Sequence, residues 1–219
     1  PLQGGDPART VAMRDEALAL TADRAPLLAL RGTCRPGAEG LPDLDRAIVV
    51  GPVQPYMFVN RADRRAIVGD LRGAIDDLRR ALAMEPPRPF TLVRRADLRL
   101  RAGEVTGATE DVRAALELDG DDAVAWKFLA RCLLASGASR EALDAARRSA
   151  ELDSKDAEAW AEVALAHVAL SAWSEAIAAA ERALGLTPEA RDALRARGLA
   201  RERQGDRAGA RAELERVIE

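Results

Sequence analysis

Apolar residues return at intervals of three and four between Ala157 and Leu170, a stretch without Gly or Pro, so the spacing predicts a helix rather than a strand. After a short break at Ser171-Ala172, a second apolar face runs through Trp173, Ala176, Ile177, Ala180, Ala183, Leu184 and Leu186, and Pro188 closes it. Together the two helices, A and B, form a 34-residue unit from Ala157 to Ala190. Small residues at its eighth and twentieth places let the helices approach closely, while Trp160 at the fourth needs a slot that only a packed neighbour provides. One unit cannot bury this surface alone.

The pattern repeats. Steps of 34 residues give starts at Pro55, Pro89, Ala123, Ala157 and Arg191 without insertion or deletion. The fourth place holds Phe58, Leu92, Trp126, Trp160 and Leu194, and the eighth Ala62, Ala96, Ala130, Ala164 and Gly198. The twentieth holds Ala74, Ala108, Ala142, Ala176 and Ala210. With Pro near the thirty-second place, this resembles the tetratricopeptide repeat (TPR). The resemblance implies an all-α fold, a right-handed solenoid or superhelix of helix-turn-helix repeats. Residues 55–88, 89–122, 123–156 and 157–190 read as regular units and 191–219 as a terminal one. Residues 25–54 read as a unit shortened around Arg35–Pro42, whose Pro and Gly predict short helices. Residues 1–24 read as a linker and a lone helix opening at Asp6-Pro7. Gly69, Gly103, Gly137 and Gly205 mark the A-to-B turns, with Ser171 in the same place in the fifth unit.

Composition narrows the function by exclusion. A net charge of -3 gives nucleic acid no general electrostatic attraction. No apolar run approaches the ~20 residues of a membrane span. The chain begins at Pro1 without Met, which leaves the compartment open between bacterial cytoplasm and periplasm. Cys34 and Cys132 fall in distant units and read as helix-packing residues rather than a disulfide. His167, the only histidine, sits where the repeat wants a packed ring. Neither metal-ligand spacing nor a Gly-rich phosphate loop is present, so the reading has no catalytic residue, cofactor or metal.

Comparing the units with one another shows a correlation between the seventh place on helix A and the twenty-third on helix B. Arg31, Arg61, Arg95 and Arg197 stand with Asp43, Asp77, Asp111 and Glu213, in that order, whereas Leu129 and Val163 stand with Ala145 and Ala179. The two places switch together, which predicts an ion pair inside the hairpin that apolar packing replaces in the fourth and fifth units.

The TPR resemblance also implies a concave face lined by A helices, where a partner segment would lie. Its places supply Tyr56, Asn60 and Asp63, then Phe90, Arg94 and Asp97, then Lys127 and Arg131, then Glu158, Glu162 and Leu165. The family's carboxylate clamp is matched only by Asn60 and Arg94, which argues against a chaperone-tail receptor. The expected function is a non-catalytic scaffold or adaptor binding a protein or peptide in that groove. The alternative is a structural subunit assembled end to end, with weak head-to-tail self-association joining Leu214–Ile218 to the helix near Pro7. Trp126 and Trp160 are expected mostly buried. Charge reversal at Arg94, Lys127 or Arg131 is expected to weaken binding and leave thermal stability nearly constant.

Overall fold

A computed structural model describes residues 25–218, with side chains to 216; the helix expected near Pro7 lies outside them. Among the described residues every regular element is a helix. The chain divides into two compact units that part between Gly103 and Glu104. The first contains α1 (Ala25–Cys34), a 3₁₀ turn at Gly37–Gly40, α2 (Leu41–Val50), α3 (Pro55–Ile67), α4 (Leu71–Met84) and α5 (Pro89–Arg101). The second contains α6 (Val105–Leu118), α7 (Ala123–Ala135), α8 (Ser139–Leu152), α9 (Ala157–Ala169), α10 (Trp173–Leu186), α11 (Arg191–Arg203) and α12 (Arg207–Ile218). Within each unit, neighbouring helices pack as antiparallel hairpins, α3 on α4, α7 on α8, α9 on α10 and α11 on α12.

Helix ends follow from their caps. Asp70 accepts from Gly73 N–H, Asp122 from Val124 and Ala125, and Asp156 from Glu158, each satisfying orphan donors of a first turn. Pro55 and Pro89 open α3 and α5, where a missing N–H costs nothing. At the A-to-B turn after α3, Gly69 N–H bonds Ala66 O and Asp70 N–H bonds Arg65 O, a Schellman closure that needs a left-handed residue. Gly69 supplies it at φ 84°. After α9 the same two bonds form from Ser171 to Val168 and from Ala172 to His167, but here Ser171 takes φ 59° without glycine's freedom.

The cores run along the hairpin seams. Ala62, Ala74, Ala130, Ala142, Ala164 and Ala176 are sealed where A and B helices touch. Leu44, Met57, Leu78 and Leu194 fill the space beside such contacts, each side chain contributing about 1.5–3 kcal/mol on burial. The shortened hairpin has helices of 10 residues, α1 and α2, against 13 and 14 in α3 and α4. Its 3₁₀ turn presses on α1 so closely that a Cβ on Gly40 would stand 1.9 Å from Gly32 O, so both glycines are needed there. The tryptophans are mostly enclosed, as the sequence suggests, with one edge reaching the surface. Trp126 and Trp160 are half-buried, and each indole N–H donates to a carbonyl of the preceding loop, Gly120 at 2.8 Å and Ser154 at 3.0 Å. The polar N–H draws each ring toward the edge of its slot.

Candidate functional site

On the first unit, the groove residues expected from the sequence lie on α3 and α5. Tyr56 and Phe90, second places of successive A helices, are 44% and 63% exposed. Asn60, Asp63, Arg94 and Asp97 are half-buried. Arg94 forms an ion pair with Asp63 across the two helices and lies 5.4 Å over the Phe90 ring. Asn60 donates to Thr33 Oγ1 at 2.9 Å on α1. This face therefore combines two uncovered rings with polar groups already oriented by their neighbours.

The second unit places Lys127 and Arg131 on α7 and Glu158, Glu162 and Leu165 on α9, with a different result. Lys127 is only 7% exposed; its Nζ meets Asp156 at 2.7 Å and Glu158 at 3.0 Å. Burial alone would lower the Lys127 pKa, but these two carboxylates outweigh it and hold the ammonium above its ordinary range. Arg131 bonds Glu162, which is 2% exposed, and reaches Glu158 at 3.3 Å. Burial pushes the Glu162 carboxyl up despite the Arg131 charge. Leu165 is half-buried. Lys127 and Glu162 are thus internal groups rather than open contact points. Reversing Lys127 or Arg131 would set a carboxylate against the acids each now pairs, Asp156 and Glu158 or Glu162 and Glu158, which replaces the expectation of constant stability at both residues.

A second ionic seam runs inside the hairpins. Arg61 donates Nε and Nη2 to the two oxygens of Asp77 at 2.8 and 2.6 Å, in the planar fork that matches a carboxylate. Asp77 is fully buried, and its hydrogen bond is the main reason the Arg61 pKa is raised. Arg31–Asp43 repeats the fork, with Nε at 2.7 Å, and Arg197 reaches Glu213 through Nη2 alone at 2.6 Å. Arg95 and Asp111 fall in different units; Asp111 is buried on α6 and Arg95 half-buried on α5. Sequence reasoning missed a third member. Arg35, Arg65 and Arg201 reach the same acids at 3.1, 2.9 and 3.1 Å. The signal was there: each stands four residues after the first Arg, one helical turn on the same face.

Among the described residues no group of His, Cys, Asp and Glu is placed to hold a metal ion, and no helix is long and apolar enough to cross a membrane. Burial pushes the Cys132 thiol up to about 11, which leaves it protonated and unreactive at neutral pH. His167 is buried, as the repeat position suggests. Of the strip expected to stack end to end, Leu214 is half-buried on α12, while the side chains of Val217 and Ile218 lie outside the described residues.

Two family models, both described as tetratricopeptide repeat, match residues 99–166 and 162–219. No curated protein matches the chain in sequence. Among solved structures, a crystal structure of MamA is 25% identical over 72% of this chain and 92% of its own, with a TM-score of 0.59. The APC/C hetero-tetramer Cut9–Hcn1 has a TM-score of 0.80 at 16% identity, over 97% of this chain but 43% of that one. A thermophilic TPR protein in Thermus thermophilus, TTC0263, is 17% identical over 75% of this chain and 90% of its own, with a TM-score of 0.68. At 16% and 17% identity, the last two likenesses bear on the fold alone.

Proposed function

The chain belongs to the tetratricopeptide-repeat family, and from that premise we propose that it is a non-catalytic scaffold that grips an extended segment of a partner protein along the α3–α5 face. Repeats of this family and its solved neighbours support a protein-interaction role in general; the placement on this face is the finer reading. One observation carries it, the exposure of Tyr56 and Phe90 at equivalent places on neighbouring A helices. Exposed rings gain roughly 25 cal/mol per Å² when a partner covers them, and aromatic residues with arginine dominate the energy of protein interfaces. Arg94, already held beside Phe90 by Asp63, adds a directed donor at little ordering cost. The α7–α9 face serves a different purpose in this reading. Its cations are committed to Asp156, Glu158 and Glu162, so it fastens neighbouring repeats and keeps the unit stiff.

Site-specific photo-crosslinking in the source cells tests this. A photoreactive phenylalanine analogue at Tyr56 or Phe90 is expected to trap one protein through one contiguous segment, while the same analogue at exposed Leu118 traps none of it. Trapping from Leu118 and not from Phe90 would move the interface off this face.

A further inference from the structure

The fifth hairpin, α9 with α10, differs from the ion-paired hairpins at two linked places and shares the second of them, an alanine, with α8. The place of Arg35, Arg65 and Arg201 is taken by His167, and the acid they share is replaced by Ala179. An arginine and a carboxylate have given way to an imidazole and a methyl, and a cavity of about 440 Å³ opens between α8, α9 and α10. Ala150, Val163, His167 and Ala179, all buried, form its floor, and the half-buried Trp160 ring stands at its side. The size falls in the range of pockets that hold small groups.

The charge at the rim differs from that of the preceding hairpin. In the preceding hairpin Arg148 reaches Asp121 at 2.8 Å. Thirty-four residues on, Arg182 has Lys155 where that acid would be. Arg182 lies over the Trp160 ring, 4.7 Å from its centre, as Arg80 lies over Phe58 in the α3–α4 hairpin. Among the described residues neither Arg182 nor Arg147, also on the rim, forms an ion pair. Glu175 and Glu151 share the rim, and Glu151 is engaged by Arg148 at 3.6 Å. His167, 8% exposed, presents its ring to the floor, with Nδ1 sealed away from the cavity.

We propose that this pocket, separate from the α3–α5 face, receives an aromatic side chain of an acidic peptide segment, with the ring against Trp160 and His167 and a flanking carboxylate on Arg182. The carboxylate pairs with Arg182 as Asp121 pairs with Arg148, and the ring occupies the volume that an arginine and an acid fill in the ion-paired hairpins. Burial and the Arg147 charge hold the His167 pKa below its ordinary value, so a neutral imidazole faces the guest ring.

The test is NMR of the full chain, following the Trp160 indole N–H and the His167 ring C–H during titration with acetyl-Glu-Phe-Glu-amide. Saturable shifts at both are expected, with affinity at least about fivefold lower for acetyl-Lys-Phe-Lys-amide and for acetyl-Glu-Ala-Glu-amide. Arg182→Gln is expected to weaken the first peptide about fivefold. Ala178→Leu, at an exposed residue of the rim, is expected to block it. Unchanged Trp126 signals in both variants establish that the fold is intact. No saturable shift, equal binding of the lysine peptide, or shifts that survive Ala178→Leu would overturn the proposal. Phenylacetate binding as tightly as the peptide would overturn the peptide occupant and leave a small-molecule pocket. Shifts confined to Tyr56 and Phe90 would also overturn it.

Discussion

The α3–α5 region and the α7–α10 region use the same repeat places but bury their charge in different seams. In the first, the buried ions lie within a hairpin, Arg61 and Arg65 on Asp77, and the groove face carries the half-exposed pairs Arg94–Asp63 and Arg101–Asp97 beside two open rings. In the second, the hairpin seams are apolar, Leu129 on α7 with Ala145 on α8 and Val163 on α9 with Ala179 on α10, and the buried ions lie between successive A helices. Ions within the hairpin leave the groove face free for a partner. Ions between hairpins occupy that face, and the seam they vacate opens into the His167 pocket. Recognition surface, in this repeat, is whatever the buried charge has not claimed.

The largest expected effect breaks the first seam. Asp77→Ala leaves Arg61 and Arg65 without their acid and should destabilise by roughly 3–5 kcal/mol in urea unfolding. The double substitution Arg61→Leu with Asp77→Ala copies Leu129 and Ala145, and most of that loss should return, because well-packed apolar groups replace buried ion pairs at little cost. Next comes the second seam. Arg131→Met leaves Glu162 buried without its partner and should cost about 3 kcal/mol, the low end for a broken buried pair because Glu162 can take up a proton. Arg94→Met, at the corresponding surface of the first unit, should change stability by about 0–1 kcal/mol.

Smaller effects sharpen the contrast. Ser171→Gly relieves a left-handed residue at the turn into α10 and should raise stability by about 1 kcal/mol, read as a shift of the urea midpoint. The pH dependence of the second seam has two opposed parts. Burial works to raise the Asp156 carboxyl, but the Lys127 hydrogen bond and charge prevail and hold it below its ordinary value. Its contribution is therefore present above the unfolded pKa of about 3.9 and lost as pH falls through the depressed folded value. Glu162, pushed up by burial, contributes in the other sense, favouring the fold below about 4.3 and losing that contribution as pH rises through its raised value. Lys127→Met removes the Asp156 part alone, so stability should fall less steeply on acidification below about pH 4 than in the unaltered chain.

The repeat architecture was legible because it is written many times over: small residues at two places and proline or aspartate before each A helix state the same hairpin repeatedly. Arg61–Asp77 was legible for the same reason, since two places that change together across units betray contact. The burial of Lys127 was not. A lysine on a groove position reads as solvated, and what encloses it is Asp156, the cap of the next A helix, which serves backbone and ammonium at once. The cavity at His167 was hidden in another way. The histidine looked like a packed ring, and only the three-dimensional packing shows that the shortened side chains around it leave space rather than collapse.

The central claim is that the exposed rings of α3 and α5 carry recognition while the buried ions of α7 and α9 carry stiffness. Titration calorimetry of the crosslinked partner segment against the Tyr56→Ala, Phe90→Ala double variant tests it most directly. The account predicts an affinity loss of about 2 kcal/mol or more with an unchanged urea midpoint, as for a pair of interface anchors. Unchanged affinity, or a loss that appears only with unfolding, would contradict it.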